Sequence, residues 1–187
     1  MTAVRPTELR HHLVGMLLRI LFRSVPTRKG WEPRLRLETG QTNSALGYDD
    51  LVLHIRSEPT ILNVARQLVG AACDRAGLTP CQTSDFVLAV NEATTNAVKY
   101  GSPAGKKDFV TIRCTRTNRA LVVSVTDHGA GFRHKSLESH SDMCYPPSAG
   151  LGLPLMRRLS DDMKIRSDTH GTTVSIAKWI LPLAKAA

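Results

Sequence analysis

The chain has 187 residues, 42% hydrophobic and 22% charged, with a formal net charge of +9. This balance fits a globular domain of ordinary size plus a tail and excludes a disordered or fibrous chain. Residues 1–50 hold eight Lys and Arg against five Asp and Glu, and residues 51–187 hold seventeen against eleven, so the basic excess is spread without a dense block. Direct nucleic-acid binding is not expected, because aromatic residues are not interleaved with the basic ones, and acidic partners or polyphosphate suit such a surface at least as well. Cys73, Cys81, Cys114 and Cys144 lie far apart without a C-x-x-C spacing, which argues against zinc and for reduced thiols in the cytoplasm.

In chain order, residues 1–50 read as an N-terminal extension, loosely ordered, with a short basic amphipathic helix over His11–Arg23 and an aperiodic stretch over Ser24–Asp50. The apolar segment Leu13–Phe22 is cut by Arg19; it is too short to span a bilayer and lacks a signal-peptide cleavage site. Residues 51–187 read as one domain. Leu51–Ser57 alternates as a strand, and Ile61, Leu62, Ala65, Leu68, Val69 and Ala72 mark a helix ending near Gly77. Thr79-Pro80 opens a longer helix that stops at Gly101-Ser102-Pro103. Phe109–Thr115 and Ala120–Thr126 form a predicted hairpin. Gly150–Ser160 is a helix with Pro154 in its first turn, and Met163–Ser167 and Thr172–Ile180 close the chain as strands. The order predicts an α/β two-layer sandwich: one mixed β-sheet with helices on one face.

Three stretches carry candidate chemistry. In the long helix, Glu92, Thr95, Asn96 and Lys99 fall at i, i+3, i+4 and i+7 and share one face, while Phe86, Val90, Ala93 and Ala97 line another. A carboxylate one turn before a carboxamide places two oxygen groups at one spot, which suits magnesium. Asp127-His128-Gly129-Ala130-Gly131-Phe132 follows a predicted strand; its glycines permit close approach to a ligand, and the Asp127 carboxylate can accept from an exocyclic amine such as that of adenine. Gly150-Leu151-Gly152-Leu153 stands at a helix start, where unpartnered N–H groups and the helix dipole favour phosphate. Between the last two, Arg133–Ala149 has the composition of a mobile cover. Alone, Glu-x-x-x-Asn reads first as a solvated helix face and D-x-G-x-G as an ordinary β-turn, and Gly150–Leu153 is not a Walker loop.

Together they resemble the N, G1 and G2 boxes of the histidine-kinase-like (GHKL) ATPase superfamily in order and spacing. Gly171-Thr172-Thr173 resembles that superfamily's last nucleotide-contacting segment. Glu-Ala-Thr-Thr-Asn-Ala-Val-Lys-Tyr-Gly, residues 92–101, is most similar to the anti-sigma-factor serine/threonine kinases of the RsbW and SpoIIAB kind. The resemblance covers about residues 51–181 and implies ATP and Mg2+ as cofactors. By it, Glu92 is the general base on the acceptor hydroxyl and Asn96 the magnesium ligand, with Lys99 on the same face. Asp127 recognises adenine in a pocket shaped by Gly129 and Gly131. Gly150, Leu151, Gly152 and Leu153 hold phosphate, and Thr172 or Thr173 lines the base or phosphate region. The implied partners are an anti-anti-sigma factor (a STAS-like antagonist) and a sigma factor, with a homodimer as the assembly. The alternative is a non-catalytic ATP-binding switch of the same fold.

Overall fold

The structure, a computed structural model, describes residues 36–38, 49–59, 61–131 and 151–180. Two helices follow one another in the chain, each with a recognisable end. Helix α1 (Ile61–Ala76) stops where Gly77 takes φ +78°, with the Leu78 N–H donating to the Cys73 carbonyl at 3.1 Å and the Gly77 N–H to Asp74 at 3.1 Å. That paired closure satisfies carbonyls the helix leaves open. Helix α2 (Pro80–Tyr100) starts on a reciprocal cap: the Thr79 hydroxyl accepts from the Gln82 N–H at 3.3 Å, and the Gln82 side chain accepts from the Thr79 N–H at 3.0 Å. Pro80 occupies the first helical position, where no N–H is needed.

Among the described residues six strands make one sheet: β1 (Arg36–Glu38), β2 (Asp49–Arg56), β3 (Phe109–Arg116), β4 (Ala120–Thr126), β5 (Asp162–Asp168) and β6 (Gly171–Trp179). Their order is β1-β2-β3-β4-β6-β5. A short 3-10 turn, Gly105–Lys107, precedes β3, and helix α3 (Gly152–Leu159) precedes β5. The layered α/β arrangement agrees with expectation, but the sheet is antiparallel in every pairing among the described residues, where a mixed sheet was expected. The reason is topological. Two helices, not one, connect β2 to β3, so the chain returns reversed instead of crossing over to a parallel neighbour. Strands β4 and β5 do run the same way, but β6 lies between them and pairs antiparallel with both.

The register builds the core in rows. Leu53, Ile112, Val125 and Val174 are successive cross-strand partners, and Cys114, Val123 and Ile176 form the next row. All seven are buried, and on this face the sheet meets α1 and α2 through Ile61, Val64, Leu68, Phe86, Val90 and Ala93. Phe86 is fully buried, and removing such a side chain costs about 3–5 kcal/mol. The opposite face carries a ladder of small polar pairs: His54 with Thr111, Thr126 with Thr173 and Ser124 with Ser175, each at 2.9 Å. Beyond α3, Asp161 fastens the chain to β6, accepting from the Trp179 N–H at 2.7 Å and from Lys178 Nζ at 3.0 Å.

Strand β1 arises inside the stretch expected to be aperiodic, and these strands and helices fall in one compact unit, Arg34–Ala187. The predicted helix His11–Arg23 and the segment Arg133–Ala149 lie outside the described residues. No helix among those described is long and apolar enough to cross a membrane.

Candidate functional site

Helix α2 positions the first half of the site. Its apolar stripe, Phe86, Val90, Ala93 and Ala97, is buried, which turns the opposite polar face towards α3. The start of α3 comes close enough that a methyl group placed on Gly152 would sit 3.3 Å from Glu92 Oε2 and 3.4 Å from Asn96 Nδ2. A carboxylate, a carboxamide and the first residue of a helix therefore meet at one point. Among the described residues neither Glu92 nor Asn96 has a hydrogen-bond or ion-pair partner. Thr94 and Thr95 are turned back on the helix, their hydroxyls donating to the Val90 and Asn91 carbonyls at 2.8 Å. Lys99, on the same sequence face, is exposed.

The second half sits at the end of β4. Asp127 is 8% exposed. Its Oδ1 accepts from the Gly129 N–H at 3.0 Å and the Thr172 N–H at 3.1 Å, and its own N–H donates to the Thr172 carbonyl at 2.9 Å. One carboxylate oxygen is thereby committed to the protein, and Oδ2 is left for a donor such as an exocyclic amine. Gly131, at φ +66°, packs against the Asp168 carbonyl and Ser167, and Gly171, at φ +143°, packs against the Asp127 carbonyl. The turn after β4 is thus seated on the β5–β6 turn. Asp127 is also in contact with Gly101, the residue that ends α2. From Asn96 to Gly101 is five residues, roughly 7.5 Å along a helix axis, so one helix links both halves.

Most of the expected site residues converge on these two places. Glu92, Asn96 and Gly152 form one cluster; Asp127, Gly129 and Thr172 form the other, with Gly131 beside it. Thr172 and Thr173 separate, as neighbours on a strand must. Thr172 is buried and its hydroxyl pairs with Ser167 at 2.9 Å, whereas Thr173 joins Thr126 on the sheet face away from the helices. Leu151 is 85% exposed, Leu153 is half-buried, and Met156 anchors α3 in the core. Gly150 lies outside the described residues. In the sequence Gly101 is a helix stop and the last residue of the 92–101 motif, and its contact with Asp127 has no signature in the local pattern.

The donor set fits magnesium only in company. Among the described residues no group of three or more His, Cys, Asp or Glu could cage a metal, but a hard cation of this kind is commonly held by one or two protein oxygens together with phosphates and water. Asn96 can supply such an oxygen. Burial pushes the Cys73 thiol up to about 12, so this thiol stays protonated and serves as neither nucleophile nor ligand.

Residues 55–178 match the family model described as histidine kinase-like ATPase domain. The chain belongs to the histidine kinase-like ATPase family. Within that family it sits among the protein serine/threonine kinases of the RsbW type. It is 31% identical over 140 residues to the serine-protein kinase RsbW of Bacillus velezensis, covering 71% of this chain and 86% of the relative. The RsbW of Bacillus subtilis is 29% identical over the same shares, and that of Listeria monocytogenes is 28% identical over 143 residues. Among solved structures, the RsbU and RsbW domains of Rv1364c from Mycobacterium tuberculosis superpose with a TM-score of 0.52 at 18% identity, over 73% of this chain and 34% of that one. That likeness supports the fold of this histidine kinase-like domain.

Proposed function

We propose that this histidine kinase-like domain transfers the γ-phosphoryl group of Mg-ATP to a serine or threonine of an anti-anti-sigma factor, and that it also sequesters a sigma factor. The observation that carries the transfer reading is the meeting of Glu92 and Asn96 at Gly152. A site that only held nucleotide would have no use for a second carboxylate, without a partner among the described residues, beside the helix start that we read as the phosphate site.

Each side chain then has a task. Asp127 Oδ2 accepts from the adenine amine while Oδ1 stays bonded to the backbone of Gly129 and Thr172. The start of α3 at Gly152 offers N–H groups to phosphate oxygens, with Leu151 and Leu153 flanking it. Asn96 contributes its carboxamide oxygen to magnesium, which neutralises phosphate charge when bound. Glu92 takes the proton from the acceptor hydroxyl as that oxygen bonds to the γ-phosphorus, and the bond from this phosphorus to the oxygen bridging it to the β-phosphate breaks, so that ADP leaves. Phosphoryl transfer depends mainly on positioning and charge neutralisation, and a carboxylate base adds to both. Lys99 stays near the mouth of the site as a solvent-exposed charge.

The RsbW relatives, named as serine-protein kinases, support protein as the phosphate acceptor. A homodimer in the cytoplasm, acting on a STAS-like antagonist and a sigma factor, is the assembly we adopt. The test is incubation of the protein with γ-labelled ATP and a purified antagonist, followed by phosphosite mapping. Label on an antagonist serine or threonine is the expected result. Nucleotide binding without transfer would instead identify a ligand-controlled switch.

A further inference from the structure

Gly101 ends α2 with an ordinary backbone, φ −95° and ψ 7°, a conformation open to any L-residue. Its N–H donates to the Ala97 carbonyl at 3.0 Å, a regular helix-end bond that makes no demand for glycine. Space is what makes the demand. The three atoms nearest to a Cβ placed there are Asp127 Cγ, Cβ and Oδ2, all closer than any real contact. The approach is mutual, because a Cβ on Gly129 would lie 2.8 Å from the Gly101 Cα. By contrast, Gly70, Gly77 and Gly105 have open space where a side chain would go. The helix end and the β4 turn are therefore packed backbone against carboxylate, with no side chain between them.

We infer that Gly101 is a positioning residue for base recognition, setting the Asp127 carboxylate so that the nucleotide site selects a purine bearing an exocyclic amine. This rests on the reading of Asp127 as the base-recognising group. The two carboxylate oxygens have different surroundings: Oδ1 is tied by two backbone N–H groups, and Oδ2 lies against Gly101. The first contact fixes where the carboxylate sits, and the second limits how far its plane can turn. A methyl group at residue 101 has to displace Oδ2, the only oxygen left to accept from the ligand. Sites built around one hydrogen bond to a substrate group lose selectivity when that bond is misaligned.

The experiment is calorimetric titration of Mg-ATP and of Mg-ITP, whose base has a carbonyl in place of the amine, into wild type, Gly101→Ala and Asp127→Asn. Thermal melting is recorded alongside. Wild type is expected to prefer ATP by about tenfold or more, and Asp127→Asn to lose or reverse that preference. Gly101→Ala should weaken ATP binding by about tenfold and bring the two nucleotides within about threefold of each other, with ITP less affected. Retention of wild-type ATP affinity and preference by Gly101→Ala overturns the inference while leaving the Asp127 reading in place. Absence of any preference in wild type, or its survival in Asp127→Asn, overturns both. If Gly101→Ala melts too low to titrate, Gly101→Ala/Asp127→Gly is compared with Asp127→Gly alone, where the obstructing atoms are gone. Equal melting supports the contact as described, and a further loss overturns it.

Discussion

The two ends of the candidate site are built differently. At the base end, Asp127 is buried, bonded to two backbone N–H groups and packed against glycines from α2 and the β5–β6 turn. At the phosphate end, Glu92 and Asn96 project from a helix towards Gly152 with no partner among the described residues. On the proposed function, the base end is set before ligand arrives, and the other end is a pair of oxygen groups that magnesium and phosphate would complete. Preorganisation of this first kind favours affinity and selectivity, whereas loosely held donors and bases act through contacts formed in the complex.

Mutations should separate the two ends. The largest effect is expected at Glu92: replacement by Ala should lower phosphotransfer by about 10²–10⁴-fold, measured with labelled ATP, while nucleotide affinity stays within about threefold. Transfer at the wild-type rate would remove the general-base assignment. Next comes Asp127→Ala, which leaves the Gly129 and Thr172 N–H groups without an acceptor. Unsatisfied buried donors cost about 1–3 kcal/mol each, so both melting temperature and ATP affinity should fall together. A loss of affinity without a loss of stability would show the base end to be less rigid than its bonds suggest.

Asn96→Ala should abolish the magnesium dependence of ATP binding, an effect of about tenfold in calorimetry with and without the metal, at unchanged melting temperature. The smallest effect is expected for Thr173→Val, on the opposite sheet face. It should leave ATP affinity within about twofold and change stability by no more than about 1 kcal/mol, the net worth of one hydrogen bond. A marked loss of nucleotide binding in that variant would mean the two sheet faces are less separate than their register indicates.

Much of this site was legible in the residues themselves. The period of Glu92, Thr95, Asn96 and Lys99 gave a shared face, and the Asp127 and Gly152 signatures fell at a strand end and a helix start, as expected. What periodicity does not carry is tertiary approach. Lys99 shares a helix face with Asn96 but lies a turn further out, in solvent. Thr172 and Thr173 are interchangeable in the sequence and only the pairing of β6 with β4 tells them apart. The same limit explains the sheet: alternation identifies strands, but only the position of β6 between β4 and β5 decides that no parallel neighbours touch. Gly101 was hidden for a related reason, since a helix-ending glycine looks alike whether it faces water or a carboxylate.

Asp127 and Thr172, 45 residues apart, exchange bonds at the point where β4 meets β6. Sliding β6 by one residue would bring Thr173 inward and put a different amide against the carboxylate. On the proposed reading of Asp127, capture of a purine therefore requires β6 to be paired with β4 in this frame, because a chain in which β6 has not seated lacks the amide that holds the carboxylate.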